Sequence, residues 1–227
     1  IEMMGHDLNI PAEYGILHPV GDTTGPAGLV RSLRSVPTYA GFAEAIAEYC
    51  PNAWVINYTN PMTVCTRTLY RAFPDIKAFG CCHEVFSTQN WLASLLEEYQ
   101  GIKAERDEIR CNVLGVNHFT WIDRARYRDI DLMELARRKM REKGEFRKIT
   151  RKETKDQPPG QGKRQVTYDL LKRYGLIAAA GERHIVEFLP FYCKDEKTLN
   201  RWGVKLTPYE SRHHRYYVGP QEFKERL

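Results

Sequence analysis

The sequence of 227 residues predicts an α/β fold, in which an open parallel sheet is followed by a mixed α+β region. Three apolar, strand-like runs in the first half each end in a short polar cluster, and amphipathic helical segments separate the runs. Alternation of strand and helix is typical of a parallel sheet. The polar clusters are Asn57–Pro61, Gly80–Glu84 and Gly115–His118.

The elements of the first 123 residues follow from local composition. Residues 7–37 are rich in Gly, Pro and small polar residues. Glycines there allow a tight turn or a close approach of the backbone to a ligand, and an ordinary surface loop explains the composition equally well. Arg31 and Arg34 follow at helical spacing and could point together at an anion. Right-handed crossovers between parallel strands would place the three strand ends at one edge of one sheet. In order, we predict a helix over Phe42–Cys50, strand Ala53–Ile56, a helix from Pro61 to Ala72, strand Ile76–Phe79, a helix over Val85–Tyr99 and strand Ile109–Gly115.

The character of the chain changes after Asp123, which predicts domains at 1–123 and 124–227. The second region mixes helices, a Pro-rich loop and one short apolar run. Its predicted elements are a basic helix over Leu132–Lys143, a loop over Lys152–Arg164, a helix over Val166–Tyr174 ended by Gly175, and a short strand over Ile185–Leu189.

Composition narrows the class of protein. A hydrophobic content of 42% and a charged content of 28% are ordinary for a soluble globular chain. No apolar run approaches the roughly 20 residues that span a bilayer, so we expect no membrane partner. The 6 cysteines form no CxxC pair and favour a reducing, cytoplasmic location.

The net charge of +5 is unevenly placed. Between Arg124 and Arg173 the chain carries 17 Lys and Arg against 8 Asp and Glu. This stretch has few aromatic residues and no nucleic-acid module, which favours a solvated helix and loop over a nucleic-acid site. Attraction of an anionic substrate is a second use for such charge.

Cys82 and His118 are the side chains that most strongly indicate a metal-binding site. Ligands bind beyond the carboxyl ends of parallel strands, so both residues are expected at one site. A thiolate and an imidazole leave coordination positions open, which indicates a catalytic metal rather than a closed structural zinc. Together with substrate oxygens, they would suit Mn²⁺ or a similar divalent ion.

Other polar residues extend this predicted site. His83 could donate a proton near physiological pH, or could orient Cys82 as an outer partner. His184 and Glu187 form a further polar cluster, which a salt-bridged surface would explain equally well. The amides that could bind sugar hydroxyls or a nucleotide are Asn57, Asn60 and Asn117.

The three polar clusters, with the residues that directly follow them, resemble the consecutive signatures of family 4 glycoside hydrolases. Upstream, Ile10–Ile16 and Gly25–Gly28 resemble the segment that leads into the same domain. Downstream, Ala180–Pro190 is similar to the branch that contains α-galacturonidases and α-glucuronidases. The resemblance runs from about Asp7 to Pro190.

This resemblance implies a Rossmann-like fold, related to lactate and malate dehydrogenases, and an unusual hydrolysis of α-galacturonides or α-glucuronides. In the family, NAD⁺ takes a hydride from the sugar C3, a base removes the C2 proton and the C1 group leaves. Water then adds and the hydride returns. A divalent metal such as Mn²⁺ would stabilise the enolate. The family is an exception to paired-carboxylate glycosidases.

Carried over residue by residue, the resemblance implies Cys82 and His118 as metal ligands, His83 as general acid and Asn60 as a sugar contact. The family's Gly-rich NAD-binding turn does not occur in this chain, and the family continues beyond residue 227. We therefore expect a piece of a longer enzyme.

The remaining roles are less sharply defined by the motifs. The C2 base is a tyrosine between Tyr168 and Tyr174, of which we favour Tyr174. Asn117 is expected to contact substrate and Asn57 the cofactor. The arginines that could clamp a substrate carboxylate are Arg31, Arg34 and Arg183.

Alternative functions remain open from the sequence. One is α-galactosidase activity within the same family. Another is a NAD-dependent 2-hydroxy-acid dehydrogenase, although that chemistry needs no metal thiolate such as Cys82. A non-catalytic sugar-binding or nucleic-acid-binding protein would use residues 124–173 and show steep salt dependence. The expected partners are a small sugar and copies of the chain in a dimer or tetramer, without nucleic acid.

Overall fold

A computed structural model describes residues 2–143 and 164–206. The chain divides into two compact units, of which the first runs to Cys81 and also includes Cys193–Asp195. The second begins at Cys82, runs to Tyr192 and includes Glu196–Val204. The boundary predicted from composition follows Asp123 instead and lies within a strand, because it marks where basic residues begin rather than where packing changes.

The first unit has the predicted β-α-β order around a parallel strand pair. Trp54 pairs with Lys77 and Asn57 with Gly80, so the two polar strand ends are neighbours. The small core contains Ala43, Leu69, Ile76 and Ala78. The elements are α1 (Glu2–Glu13), α2 (Gly25–Tyr49), β1 (Trp54–Asn57), α3 (Met62–Ala72) and β2 (Lys77–Gly80).

The helix predicted after Pro61 is confirmed, since α3 begins at Met62 with Pro61 as its N-cap residue. The surface loop considered for residues 7–37 is wrong at both ends, which belong to α1 and α2, whereas the helical spacing of Arg31 and Arg34 is confirmed by α2. Gly28 misled the prediction because it lies inside α2, where it allows a close approach of the segment that precedes the helix. A Cβ atom there would lie 2.4 Å from the carbonyl carbon of Thr23.

The second unit combines helices with an antiparallel sheet. Its strand order is β3-β4-β5, with β6 also paired to β4. The described elements are α4 (Glu84–Gln100), β3 (Arg110–Val116), β4 (Phe119–Tyr127), β5 (Ile130–Asp131), α5 (Leu132–Lys143), α6 (Gln165–Tyr174), β6 (Ile177–Ala178), α7 (Gly181–Phe188) and α8 (Glu196–Trp202), with 3₁₀ turns at Arg106–Glu108 and Pro190–Tyr192.

The third predicted strand is real, but its place in the parallel sheet is wrong. Within the described residues β3 pairs with β4 in antiparallel register, with Val116 opposite Phe119 and Gly115 opposite Thr120. The two residues between them, Asn117 and His118, form a tight turn, and short turns of this kind join antiparallel strands. The expected single edge of three parallel strand ends therefore does not form.

The core of the second unit lies between its helices and the antiparallel sheet. The helices predicted over 85–99, 132–143 and 166–174 are confirmed as α4, α5 and α6, and Gly101 and Gly175 end two of them in left-handed conformation. Core residues include Leu92, Leu96, Ile109, Ile122, Leu132 and Ile177.

The strand predicted over Ile185–Leu189 is wrong, because most of it belongs to α7. Ile185 and Val186 are fully buried, and so short an apolar run does not distinguish a helix from a strand. The predicted loop over Lys152–Arg164 lies outside the described residues except for Arg164. Among the described residues, none of the helices has the length and apolar character needed to cross a membrane.

A buried tyrosine links three segments of the second unit. The Tyr192 hydroxyl donates to Oδ2 of Asp169 at 2.5 Å, and Arg173 Nε donates to the same oxygen at 2.7 Å. Tyr192 is fully buried and packs edge-to-face on Trp202, with ring centroids 4.7 Å apart. Burial and the hydrogen bond to Asp169 raise the pKa of Tyr192.

We predict that Tyr192→Phe lowers the free energy of unfolding by about 1–3 kcal/mol, because it removes a buried hydrogen bond to a carboxylate. Tyr127→Phe is the matched control, since this buried tyrosine makes no hydroxyl hydrogen bond within the described residues. Urea unfolding followed by circular dichroism measures both variants. Equal losses in the two variants would contradict the assignment.

Candidate active site

Asn57 fixes the polar end of β1 in the first unit. Its Oδ1 accepts hydrogen bonds from the Tyr39 hydroxyl and the Thr59 amide, both at 3.0 Å. Its Nδ2 faces the carbonyl oxygens of Thr59 and Met62 at 3.3 Å and the Thr66 hydroxyl at 3.1 Å. The side-chain amide is thus fully engaged by protein groups, and the carbonyl oxygen of Asn57 accepts from the Cys81 amide at 3.0 Å.

Asn60 lies in a second polar network of the same unit. Its Nδ2 donates to Oδ2 of Asp22 at 3.2 Å, and its carbonyl oxygen accepts from Arg31 Nε at 3.1 Å. Thr23 donates to the other Asp22 oxygen at 2.8 Å. The structure therefore brings together two predicted substrate-binding residues, Asn60 and Arg31, and adds the buried Asp22, which sequence reasoning missed.

Arg34 is engaged elsewhere. Its guanidinium forms an ion pair with the buried carboxylate of Asp7 and contacts both of its oxygens. This hydrogen bond raises the pKa of Arg34 although burial opposes the effect. Of the arginines predicted to clamp a carboxylate, Arg34 already has a protein carboxylate as its partner.

The first unit also contains a pocket of about 470 Å³ at the end of β1. One wall is α2, with Tyr39 and Phe42, and the other is the strand end with Asn57 and Tyr58. The pocket also reaches Val55 and Ile56 within β1, so it lies along the strand as well as at its carboxyl end, where open α/β sheets bind ligands.

In the second unit, Cys82, His83 and Glu84 form the entry to α4. His83 is the residue that precedes the helix, and its side chain is 80% exposed. Glu84 lies in the first turn and is half-buried, with its Oε1 atom 3.8 Å from His83 Nε2. An exposed imidazole is free to reach a bound molecule, whereas Glu84 is held by neighbouring protein groups.

The pKa of Glu84 lies below its ordinary value. Burial alone would raise this pKa, but hydrogen bonding and charge from His184 outweigh burial, with smaller effects from His83 and His118. The distance from His184 Nε2 to Glu84 Oε1 is 3.6 Å. Glu84 therefore carries its negative charge among three imidazoles.

His118 occupies the β3–β4 turn and is only 2% exposed. Its φ of 63° is left-handed, and Gly115 two residues before the turn has φ 103°. A Cβ atom on Gly115 would lie 2.2 Å from the carbonyl oxygen of Phe119. Glycine at 115 thus allows the close approach of strands that sets the position of His118.

The His118 ring stacks on the His184 ring of α7, with centroids 3.7 Å apart and planes inclined by 28°. Nitrogen atoms of the two rings lie within 4.8 Å of each other, close enough to belong to one metal-binding cluster. Cys82 is not a member of that cluster among the described residues. The pairing of Cys82 with His118 as ligands therefore stays a prediction.

Asn117 is buried beside His118 in the same turn. Within the described part of the chain, neither its amide oxygen nor its amide nitrogen has a hydrogen-bond partner. Buried amides are normally paired, and an unpaired one needs an explanation such as an absent ligand or water. This observation is consistent with the predicted substrate contact.

The two tyrosines of α6 differ in environment. Tyr174 is 57% exposed and lies edge-on to Trp121, with ring centroids 6.2 Å apart. Tyr168 is half-buried against Trp91, and burial raises its pKa to about 12. Arg183, the remaining predicted substrate contact, is exposed on α7.

These features define an α/β protein with polar strand ends suited to small polar ligands and a histidine cluster suited to a divalent ion. The sequence pattern of the Family 4 glycosyl hydrolase domain matches residues 1–98. The pattern of the Family 4 glycosyl hydrolase C-terminal domain matches residues 113–224. The chain belongs to family 4 of the glycosyl hydrolases, and the predicted resemblance is confirmed.

Individual relatives agree with this assignment. An α-galacturonidase from Thermoanaerobacter italicus is 50% identical over 209 residues, which cover 91% of this chain and 46% of the relative. A crystal structure of a Bacillus subtilis protein described as a glucosidase superimposes with a TM-score of 0.89 at 46% identity, covering 99% of this chain and 51% of that one. The chain therefore spans about half the length of these relatives.

A more distant structure shows the fold alone. It is a 6-phospho-α-glucosidase from gut microorganisms in complex with NAD and Mn²⁺, with a TM-score of 0.67 at 19% identity. The similarity covers 97% of this chain and 46% of that one. Together with the parallel strand pair, these structures confirm the Rossmann-like fold class.

We predict that Gly115→Ala lowers the free energy of unfolding by at least about 3 kcal/mol, because left-handed strain and a collision with Phe119 act together. Gly101→Ala is the control, since Gly101 has φ 68° but open space around it. Thermal unfolding by circular dichroism compares the two. A smaller loss for Gly115→Ala than for Gly101→Ala would contradict this account of the turn.

Proposed function

We propose that this chain is part of a NAD⁺- and Mn²⁺-dependent α-glycosidase that cleaves α-galacturonides. The observation that carries the proposal is the 50% identity to an α-galacturonidase over 91% of the chain. The buried imidazole of His118, with His184 and Glu84 close to it, and the buried unpaired amide of Asn117 support it, because an enzyme of this kind must bind a metal and a polyhydroxylated sugar.

Cys82 and His118 would hold the metal, with His184 adjacent to His118. Thiolate and imidazole donors with open positions fit a divalent transition ion that also takes substrate oxygens. When bound, NAD⁺ supplies reversible hydride acceptance at C3 and the metal supplies Lewis-acid stabilisation of the adjacent oxygens.

The proton transfers fall to side chains of the second unit. We propose His83 as the general acid for the leaving group, since its side chain is exposed and its Nε2 lies 3.8 Å from the Glu84 carboxylate. We propose Tyr174 as the base at C2. Burial raises the pKa of Tyr168 to about 12, which makes Tyr168 a poorer source of a phenolate.

The proposed substrate contacts are Asn60, Arg31, Asn117 and Arg183. A uronide carries a carboxylate, which arginine binds with paired hydrogen bonds. We propose that Asn57 contributes to cofactor binding by holding the end of β1 in place through the hydrogen bonds of its amide.

The cellular setting is also a proposal. None of the 6 cysteines forms a disulfide bond within the described residues, which is consistent with a reducing cytoplasm. We further propose a homo-oligomer, a dimer or a tetramer, as the working assembly.

The decisive experiment is hydrolysis of aryl α-galacturonide, α-glucuronide and α-galactoside by the product of the complete gene that contains this sequence. We expect cleavage of the galacturonide only when both NAD⁺ and Mn²⁺ are present with a reducing agent. Cys82→Ser should lower kcat/KM by more than the about 10–100-fold that outer-sphere substitutions cost. Cys50→Ser, which removes an exposed cysteine, is the control.

Two results would redirect the assignment. Preferred cleavage of the galactoside would move it to the α-galactosidase alternative. Absence of cleavage in folded protein, with oxidation of a 2-hydroxy acid by NAD⁺, would replace it by the dehydrogenase alternative.

The proposed base is tested at C2 of the sugar. In deuterated water, turnover should introduce deuterium at C2, and Tyr174→Phe should lower kcat by about 10²–10⁴-fold with loss of this exchange. Tyr168→Phe should retain most of the exchange. The reverse pattern would assign the base to Tyr168.

A further inference from the structure

We propose that His184 is a positioning residue that sets the ring orientation of His118, and that Glu84 holds His184 in place. The inference rests on the proposed function in one respect, because it takes His118 as a metal ligand. It adds a physical connection among the β3–β4 turn, α7 and the entry to α4, which the positions of the sequence motifs do not show.

The first step is the stack of the two imidazoles. The histidine χ2 torsion is broad, so a histidine ligand needs neighbours that fix its ring plane. The His118 ring is almost fully buried, and the face of the His184 ring lies against it at a centroid distance of 3.7 Å. This face-to-face contact restricts rotation of the His118 ring about χ2.

The second step is the anchor of His184. Its Nε2 lies 3.6 Å from Glu84 Oε1, and both side chains are largely buried, at 15% and 21% exposure. A Cβ atom on Gly181 would lie 2.6 Å from Glu84 Oε2, so the carboxylate also lies directly against the start of α7. Glu84 thus joins the first turn of α4 to the helix that carries His184.

The third step concerns orientation. The nitrogen lone pairs of imidazole lie in the ring plane, and metal–nitrogen bonds are about 2.0–2.1 Å long. Two rings stacked at 3.7 Å with planes only 28° apart do not converge on one ion at that distance. The geometry therefore favours a positioning role for His184 over direct ligation, although the nitrogens are within 4.8 Å.

The location of Glu84 gives this contact a further effect. Glu84 follows Cys82 by two residues at the entry to α4. One carboxylate therefore connects the segment of the predicted thiolate ligand to the ring that orients the predicted imidazole ligand. Residues that orient metal ligands typically change affinity by about 10–100-fold when they are replaced.

The test measures binding of Mn²⁺ alone, by the electron paramagnetic resonance signal of the free ion, to the complete gene product under reducing conditions. His184→Ala removes the stack and should raise the Kd by about 10–100-fold. His184→Phe keeps a flat ring for the stack but loses the contact with Glu84, and should raise the Kd by less than His184→Ala does. His6→Ala, which removes an exposed histidine, is the control.

Glu84→Ala should also raise the Kd, and the double variant with His184→Ala should bind no more weakly than His184→Ala, because both act through one contact. Thermal unfolding checks each variant, and His184→Leu replaces His184→Ala if the latter does not fold. An equal loss in His184→Phe and His184→Ala would make His184 a ligand and overturn the proposal. An unchanged Kd in His184→Ala would overturn it as well.

Failure of the proposed function gives a different result. In that case the unsubstituted protein would not bind Mn²⁺, or would bind it without cleaving any glycoside. Normal Mn²⁺ binding that is insensitive to His184 contradicts the positioning role alone.

Discussion

The left-handed backbone of His118 is the constraint on which the second unit depends. A residue with φ 63° at this point reverses the chain within two residues and places β4 alongside β3. β4 then pairs with β5 and β6 as well, so it is the central strand of this sheet. The same turn therefore sets both the position of the buried His118 imidazole and the register of the sheet, and Gly115 allows the close approach of strands that this turn needs.

In the first unit, the side-chain amide of Asn57 has the corresponding structural role, because all of its hydrogen-bonding groups are paired within the protein. Asn57 connects β1, the following loop, α3 and Tyr39 of α2 through a single side chain. This holds the end of the strand in place where the chain must leave the sheet. The neighbouring network of Asp22, Asn60 and Arg31 then has a defined backbone from which to extend.

The helices α3, α4, α5 and α6 and the two parallel strands were predictable because their signals are local. Pro61 at the start of α3, and Gly101 and Gly175 at helix ends, mark boundaries through their own backbone preferences. The pairing of β3 was not predictable from such signals, since an apolar strand has the same sequence pattern in a parallel and in an antiparallel sheet. The short run at Ile185 and Val186 was ambiguous for the same reason.

The residues of the candidate site also divide into those that local sequence signals identify and those that only tertiary packing brings together. Cys82, His83 and His118 stand out by residue type and by their place after apolar runs. Glu84 and His184 were each visible in the sequence, but only tertiary packing brings α7 onto the first turn of α4. Asp22 was missed because its partner Asn60 is 38 residues away in the chain.

Aspartate cannot replace Asn57 without loss of hydrogen bonds, because the two side chains differ at the amide nitrogen. Aspartate has the same shape as asparagine but presents oxygen where the amide presents N–H groups. At this position that oxygen would face the carbonyl oxygens of Thr59 and Met62 across 3.3 Å, with a negative charge added in a buried site. Deamidation of Asn57 would therefore disrupt the end of β1.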